Sequence, residues 1–500
     1  MVLRHRSLLL NAQGDFLLMI AKWLGLSKHR IRVTIGLLPF FLYGFYSPCL
    51  GSDPASGDRP PIEISVESML DAASEPAGPI PVTITRQDSG YLLYRDGRPY
   101  FIKGVGGRRY LDNAAEAGAN SVRTWGSNGA GGLLDHARDL KMTVMLGIWL
   151  SHNPSDYLDS AYKIRKTREV QRLLDDHRNH PSLLIWSLGN EINLQGANTA
   201  AAWQFVNELA RMIKNKDPNH PVITVIAYDG SALNNIAQHA PDLDAVGINA
   251  YGSLSGVRAM IDGTAFDGPY IITEWGVNGH WEAEQTAWGR PIEPTSEQKV
   301  GYFQRRYAQS ILANSDKCLG SYVFLWGQKQ ERTPTWYSMF IENLPGVKTT
   351  GASCPSVDVM HLNWSGSWPS NRAPTVDQMT INDRTAAENI RLASGEAFIA
   401  RVAAVDPEND GLSYIWELLE EPVVLGTGGS YEPRPAMLGE VVKGSLPELS
   451  LQAPDRAGEY RLFVYVLDRN GRVGTANIPF QVDLSSNWEV STGQPSSSDG

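Results

Sequence analysis

Cysteine is scarce in this 500-residue chain, with only Cys49, Cys318 and Cys354. Beyond the N-terminal region that leaves Cys318 and Cys354, which can form one disulfide in an oxidising compartment or remain two buried thiols. Signatures of several common chemistries are missing as well. The segment GVGGRRY (104–110) contains no His-x-His of the kind a metal-dependent barrel hydrolase needs at its first strand. GVGG also falls short of the dinucleotide fingerprint and has no acidic partner downstream, which argues against a nicotinamide cofactor. No Gly-x-Ser-x-Gly elbow sits at a strand-to-helix turn, and the aromatic-rich loops carry no basic stripe for nucleic acid. No cofactor and no metal are implied.

Long apolar runs are equally few. VTIGLLPFFLYGFY (33–46) follows the basic SKHRIR (27–32) and precedes the turn-prone SPCLGSDPASG (47–57). Residues 1–51 therefore read as a signal peptide whose start is displaced, with Met19 as the alternative start, or as a signal anchor. Extended to Leu50, the run just reaches the lower bound for a membrane span. Tyr46 and Pro48 make Cys49 a poor lipidation site. The expected location is outside the cytoplasm: periplasmic, extracellular or membrane-anchored. Positive charge is short too, 44 Lys and Arg against 54 Asp and Glu, and without residues 1–51 the balance is 38 against 53, a net charge of −15. Such a chain repels anionic polymers.

What the chain does have is two carboxylate motifs, WSLGNE (186–191) and IITEWG (271–276), each closing an apolar, β-prone run. Glu191 and Glu274 are thereby placed at strand ends. Cleaving a glycosidic bond needs one carboxylic acid for the departing oxygen and one carboxylate for the oxocarbenium-like carbon. The two are 83 positions apart in the sequence, and a (β/α)8 barrel would bring them together, because strand C-termini converge on one face.

Eight apolar runs alternate with helix-forming stretches: 100–106, 120–125, 142–149, 183–189, 221–227, 244–251, 270–276 and 320–327. Near-continuous apolar strands suit a parallel sheet covered on both faces. The segments 110–119, 132–141 and 199–216 show helical three-and-four spacing. Residues 82–100, turning at Asp96-Gly97, read as a β-hairpin plugging the barrel floor.

This pattern resembles the clan of retaining β-glycosidases with Asn-Glu after the fourth strand and Glu at the seventh. It is most similar to the barrel domain of glycoside hydrolase family 2, over roughly residues 82–345; FIKGVG (101–106) and RTWG (123–126) are also similar to fungal β-1,3-glucanosyltransferases. The resemblance implies that Glu191 is the acid/base, Glu274 the nucleophile and Asn190 a partner of the sugar 2-hydroxyl. It matches Arg123 and Tyr251 to positions holding the nucleophile, and Trp326 to the aromatic floor under the bound sugar. The family's usual sandwiches ahead of the barrel are replaced by a short linker, which argues against exo-acting galactosidase, glucuronidase or mannosidase specificities.

The physical roles agree with that assignment. Repulsion between neighbouring carboxylates raises one pKa, and an adjacent guanidinium lowers the other. Arg123 and the Tyr251 hydroxyl are thus expected to keep Glu274 ionised, while Glu191, flanked by Trp186 and Leu188, stays protonated. Arg123 could instead be a structural ion-pair partner and Tyr251 a strand cap. Trp125, Trp149, Trp275, Trp281 and Trp336 are sugar platforms or core residues, and His152 is a substrate contact or a surface histidine.

The expected organisation is a (β/α)8 TIM barrel (81–360) followed by a small immunoglobulin-like β-sandwich (372–484). Residues 52–80, rich in Pro, Ser, Gly and acids, read as a flexible linker and 485–500 as a disordered tail. VDPENDGLSYIWEL (405–418) resembles polycystic-kidney-disease-type and cadherin-like domains; its acidic turn, 406–410, could hold calcium. The functional expectation is an exported, retaining β-glycoside hydrolase acting on a β-linked glucan or related oligo- or polysaccharide, neutral rather than uronic or sulfated. The alternatives are a β-glucanosyltransferase of the same mechanism and a non-catalytic glycan-binding scaffold.

Overall fold

The computed structural model describes residues 78–344, 351–426 and 430–484. The expected signal or anchor (1–51), nearly all of the linker (52–80) and the tail (485–500) lie outside the described residues. No helix among the described residues is long and apolar enough to cross a membrane.

The chain opens with three antiparallel strands, β1 (Val82–Gln87), β2 (Gly90–Arg95) and β3 (Arg98–Pro99). Asp96 and Gly97 form the second of two turns, both with positive φ, 52° and 68°, as an Asp-Gly type I′ turn requires. A first turn at Asp88-Ser89 precedes it, since Gln87 pairs with Gly90. Val82 and Leu93 pack into the cluster that fills the barrel, with Ile102, Met145, Ile185, Ile223, Ile271 and Tyr322, so this sheet does close the floor.

Eight parallel strands form a closed barrel in the order β10-β11-β4-β5-β6-β7-β8-β9. They are β4 (Ile102–Gly106), β5 (Ser121–Arg123), β6 (Thr143–Ile148), β7 (Leu183–Leu188), β8 (Val222–Ala227), β9 (Ala245–Asn249), β10 (Tyr270–Trp275) and β11 (Cys318–Val323). Around them run α1 (Leu111–Glu116), α2 (Ala130–Asp139), α3 (Ser160–His177), α4 (Ala200–Lys216), α5 (Gly230–His239), α6 (Val257–Asp262), α7 (Ser296–Arg306) and α8 (Pro355–Ser365). β7 shows why its residues sit here: all six are buried, with Leu184 and Ile185 in the filled interior and Leu183, Trp186 and Leu188 in the helix-side core. The last expected strand is shifted. It ends at Val323, and beyond Phe324 the chain turns to the core around Phe340 and Trp364.

Two short strands, β12 (Phe340–Ile341) and β13 (Ala352–Ser353), pair after the barrel. Two further sheets follow, β14 (Thr375–Ile381) with β16 (Ala397–Val405) and β19 (Glu448–Gln452), and β15 (Arg391–Ala393) with β17 (Ser413–Glu420), β18 (Val442–Gly444), β20 (Gly458–Leu467) and β21 (Val473–Asp483). They share one core, in which Val376 and Phe398 of the first sheet meet Trp416, Tyr460 and Ile478 of the second. Barrel and C-terminal sheets belong to one compact unit. A buried polar network joins them: Glu293 accepts from Lys299 (2.6 Å) and from Asn477 of β21 (2.6 Å), and Arg461 of β20 donates to the Pro291 carbonyl at 2.9 Å. Cys318 and Cys354 are free, buried thiols, their pKa values pushed up to about 12 by burial.

Candidate active site

The C-terminal ends of the barrel strands bring six polar side chains together, those of Arg123, Asn190, Glu191, Asn249, Tyr251 and Glu274. A register shift in β10 between Ile272 and Glu274 sets Glu274 opposite Asn249 of β9, the re-aiming a bulge produces. Trp275 beside it points outward, stacked on Tyr307 and against Phe303. Glu191 leaves β7 through Gly189, with φ of 76° and 51° at the two residues. A left-handed glutamate is uncommon, and such conformations cluster at functional sites.

Glu274 accepts four hydrogen bonds. Its Oε1 receives Arg123 Nη1 (2.9 Å), Trp125 Nε1 (2.7 Å) and Asn249 Nδ2 (2.8 Å), and its Oε2 receives the Tyr251 hydroxyl (2.8 Å). Arg123 is 1% exposed and also donates to the Thr273 carbonyl (2.9 Å) and to Asn190 Oδ1 (2.6 Å). Burial and the Glu274 charge hold the Tyr251 hydroxyl well above its ordinary pKa, so it stays a donor. Trp125 reaches the carboxylate because Gly147 of β6 lets the chain pass close; a Cβ there would lie 2.2 Å from the Thr124 carbonyl oxygen.

Asn249 spans the pair. Its Nδ2 lies 2.8 Å from Glu274 Oε1 and 3.0 Å from Glu191 Oε1, and its Oδ1 accepts from Thr273 Oγ1. The two glutamate oxygens are therefore separated by no more than the sum of those distances. Burial, then the charge of Glu274, raise the Glu191 pKa to about 7. Asn190 Oδ1 accepts from Arg123 Nη2 and from Asn249 Nδ2 (3.2 Å), which leaves its Nδ2 as the donor for a ligand. His152 Nε2 sits 2.7 Å from the Asn190 carbonyl oxygen, so that nitrogen carries the proton. Trp149, 40% exposed, packs edge-on against His152.

Two expected aromatics stand elsewhere. Trp326 is buried between Phe340 and Trp364, with its Nε1 on the Tyr110 carbonyl; it is a core residue, because β11 ends before it. Phe324 takes the barrel-facing place, its ring edge-on to Trp125 and Tyr251 at 5.8 and 6.0 Å. Trp275 likewise belongs to the helix-side core. Trp336 is buried, bonded to the Asn278 carbonyl, whereas Trp281 is 58% exposed and edge-on to Tyr251. Asn249 and Phe324 are absent from the sequence-derived site. A polar residue closing the otherwise apolar run DAVGIN was the available signal for Asn249.

Residues 141–293 match the family model of glycosyl hydrolases family 2, TIM barrel domain. Over that stretch, from β6 to the loop after β10, the barrel is similar to the family 2 glycosyl hydrolases. β-Galactosidases of Yersinia pestis and Yersinia pseudotuberculosis are 43% identical to it over 88 residues, 18% of this chain and 7% of their own length. The chain thus spans a small part of the curated relatives it matches. Among solved structures, β-glucuronidase 2 of Bacteroides uniformis is similar at 16% identity and a TM-score of 0.43, over 81% of this chain and 48% of that one. The β-D-glucuronidase of Dictyoglomus thermophilum is similar at 17% identity and a TM-score of 0.43, over 57% and 54%.

Proposed function

We propose that this family 2 barrel is an exported glycosidase hydrolysing β-linked O-glycosyl bonds by double displacement, with Glu274 as nucleophile and Glu191 as acid/base. The observation that carries the reading is the asymmetry of the pair bridged by Asn249. One carboxylate accepts four donors, including a buried guanidinium. The other is raised to about 7 and is half protonated near neutrality, as a general acid that must later act as base requires. Three donors fill the lone pairs of Glu274 Oε1, whereas Oε2 has one donor and keeps a lone pair for attack.

In the first step that oxygen bonds to the anomeric carbon while Glu191 gives its proton to the leaving oxygen, forming a glycosyl ester and a free hydroxyl. Glu191 then takes a proton from water, whose oxygen displaces Glu274 and restores both groups. Asn190 Nδ2 would meet the sugar 2-hydroxyl, and Trp149 and Trp281 would offer faces to further sugars. The acidic balance of the chain supports a neutral β-glucan or related polysaccharide, and the basic-then-apolar run 27–46 supports export. The C-terminal sheets fit an immunoglobulin-like sandwich.

The test is intact-protein mass after incubation with a panel of 2-deoxy-2-fluoro β-glycosyl fluorides. A gain of one glycosyl unit that disappears in Glu274→Gln is expected, and it would identify the accepted sugar. Turnover of a β-glucan with inverted product stereochemistry, or turnover that survives Glu274→Gln, would sink the mechanism.

A further inference from the structure

Far from the barrel's carboxylates, a second acidic group closes one end of the C-terminal sheets. Asp406 and Asp410 lie in the β16–β17 turn and Asp468 in the β20–β21 turn, and one carboxylate oxygen from each falls within 4.8 Å of the others. The two turns are built alike. Asp406 Oδ1 accepts the amides of Glu408 (3.0 Å) and Asp410 (2.8 Å), and Asp468 Oδ1 those of Asn470 (2.9 Å) and Arg472 (2.8 Å). Each aspartate thus spends one oxygen on its own turn.

The second oxygens differ. Asp468 Oδ2 accepts from Asn371 Nδ2 at 2.8 Å, and Asp410 Oδ2 accepts from Asn470 Nδ2 at 2.9 Å. Asp406 Oδ2 is fully buried and has no hydrogen-bond partner, on a residue 7% exposed. A buried carboxylate oxygen without a partner is costly, and two like charges close by make it costlier. The neighbouring arginines form no ion pair with it: Arg372 pairs with Glu408, Arg472 with Asp358, and the Arg469 guanidinium lies over Gly411. No ion pair to any of the three aspartates is found among the described residues.

We propose that Asp406, Asp410 and Asp468 bind a calcium ion, with Asp406 Oδ2 as its most buried ligand. The donor set is all oxygen, with the Asn371 and Asn470 side-chain amides beside it and no imidazole or thiolate, which selects a hard cation. Flexible turns supplying carboxylates suit the larger, less geometrically demanding calcium over magnesium. Asn371 follows α8, and Arg472 ties the same turn to Asp358 on that helix. The ion therefore staples two turns of the C-terminal sheets to the segment by which the barrel enters them.

The test is calorimetric titration of calcium chloride into the calcium-stripped full chain. One site per chain is expected, with Kd in the range of about 10⁻⁵–10⁻³ M. Asp406→Asn and, separately, Asp410→Asn should each weaken it at least about ten-fold. Asp410 is only partly buried, so its variant keeps the test open if Asp406→Asn does not fold. Saturating calcium should raise the melting temperature of the wild type by about 2–5 °C and that of Asp410→Asn by less than about 1 °C. Absence of both heat and shift at about 5 mM calcium, undiminished binding in both variants, or equal affinity for magnesium overturns the proposal. None of these outcomes bears on the catalytic reading, because the three aspartates stand apart from Glu191 and Glu274.

Discussion

Glu274 and Glu293 are two buried glutamates, each facing a buried cation, yet one sits beside a second carboxylate at the strand ends of the barrel and the other at a joint. Glu293 lies beside Lys299 Nζ at 2.6 Å, with Thr333, Thr335 and Asn477 completing its shell. Against the effect of burial, Lys299, the Thr333 hydroxyl and the Arg461 charge hold its carboxyl below the usual carboxylate range. Glu274 is as richly bonded, but one of its donors, Asn249, is shared with a second carboxylate. A closed shell around a buried charge fixes structure. A shell shared with a second carboxylate, whose pKa burial raises, gives the site a place to hold a proton.

The comparison breaks first at Glu274→Gln. Removing the proposed nucleophile should lower kcat by about 10⁴-fold or more, read with an aryl β-glycoside accepted in the labelling screen, while the melting temperature stays near that of the wild type. The opposite pattern is expected at the joint. Lys299→Met leaves the Glu293 carboxylate uncompensated and should cost about 3–5 kcal/mol in a denaturant titration, with kcat of the folded fraction nearly unchanged. Equal losses of activity and stability in both variants would erase the distinction.

Much of this was legible from residues alone, for physical reasons. The barrel strands are read from apolar runs of similar length; Arg123 ends β5, Glu274 is one residue short of the end of β10 and Glu191 follows β7 by three residues, so their convergence follows from topology. Trp326 was misplaced because the run 320–327 stays apolar after β11 stops at Val323: the residues beyond it turn into the core formed with Phe340 and Trp364, and hydrophobicity does not distinguish strand from core loop. Whether an indole N–H faces a carboxylate is not encoded in spacing either. Trp125 and Trp275 both sit at strand ends, yet one donates to Glu274 and the other packs on Tyr307. The joint was invisible, since Glu293, Lys299 and Asn477 are neighbours only after folding.

Asn249→Ala sharpens the comparison from within the site. It removes the shared donor, so kcat/KM should fall about 10–100-fold. The direction of the pH effect is the stricter check. The Asn249 hydrogen bond lowers the Glu191 pKa, so its loss should move the alkaline limb of the kcat/KM profile to higher pH. A limb that stays in place, or moves down, separates Asn249 from Glu191.

The smallest effect concerns stability and follows from the sign of the Glu191 shift. Its folded-state pKa, about 7, lies above the ordinary carboxylate value of 4.5. The protonated form is therefore favoured by folding, and the stability it contributes is fully present below the ordinary value and lost as pH rises through about 7. Glu191→Gln is neutral at every pH and escapes that loss. It should be more stable than the wild type at pH 8 by about 1–3 kcal/mol, with the gap closing below pH 5, while general-acid catalysis drops about 10²–10⁴-fold. Urea titrations of both proteins at the two pH values read the gap directly. A gap that is the same at both would mean that Glu191 folds with an ordinary pKa, and the asymmetry of the pair would then rest on Glu274 alone.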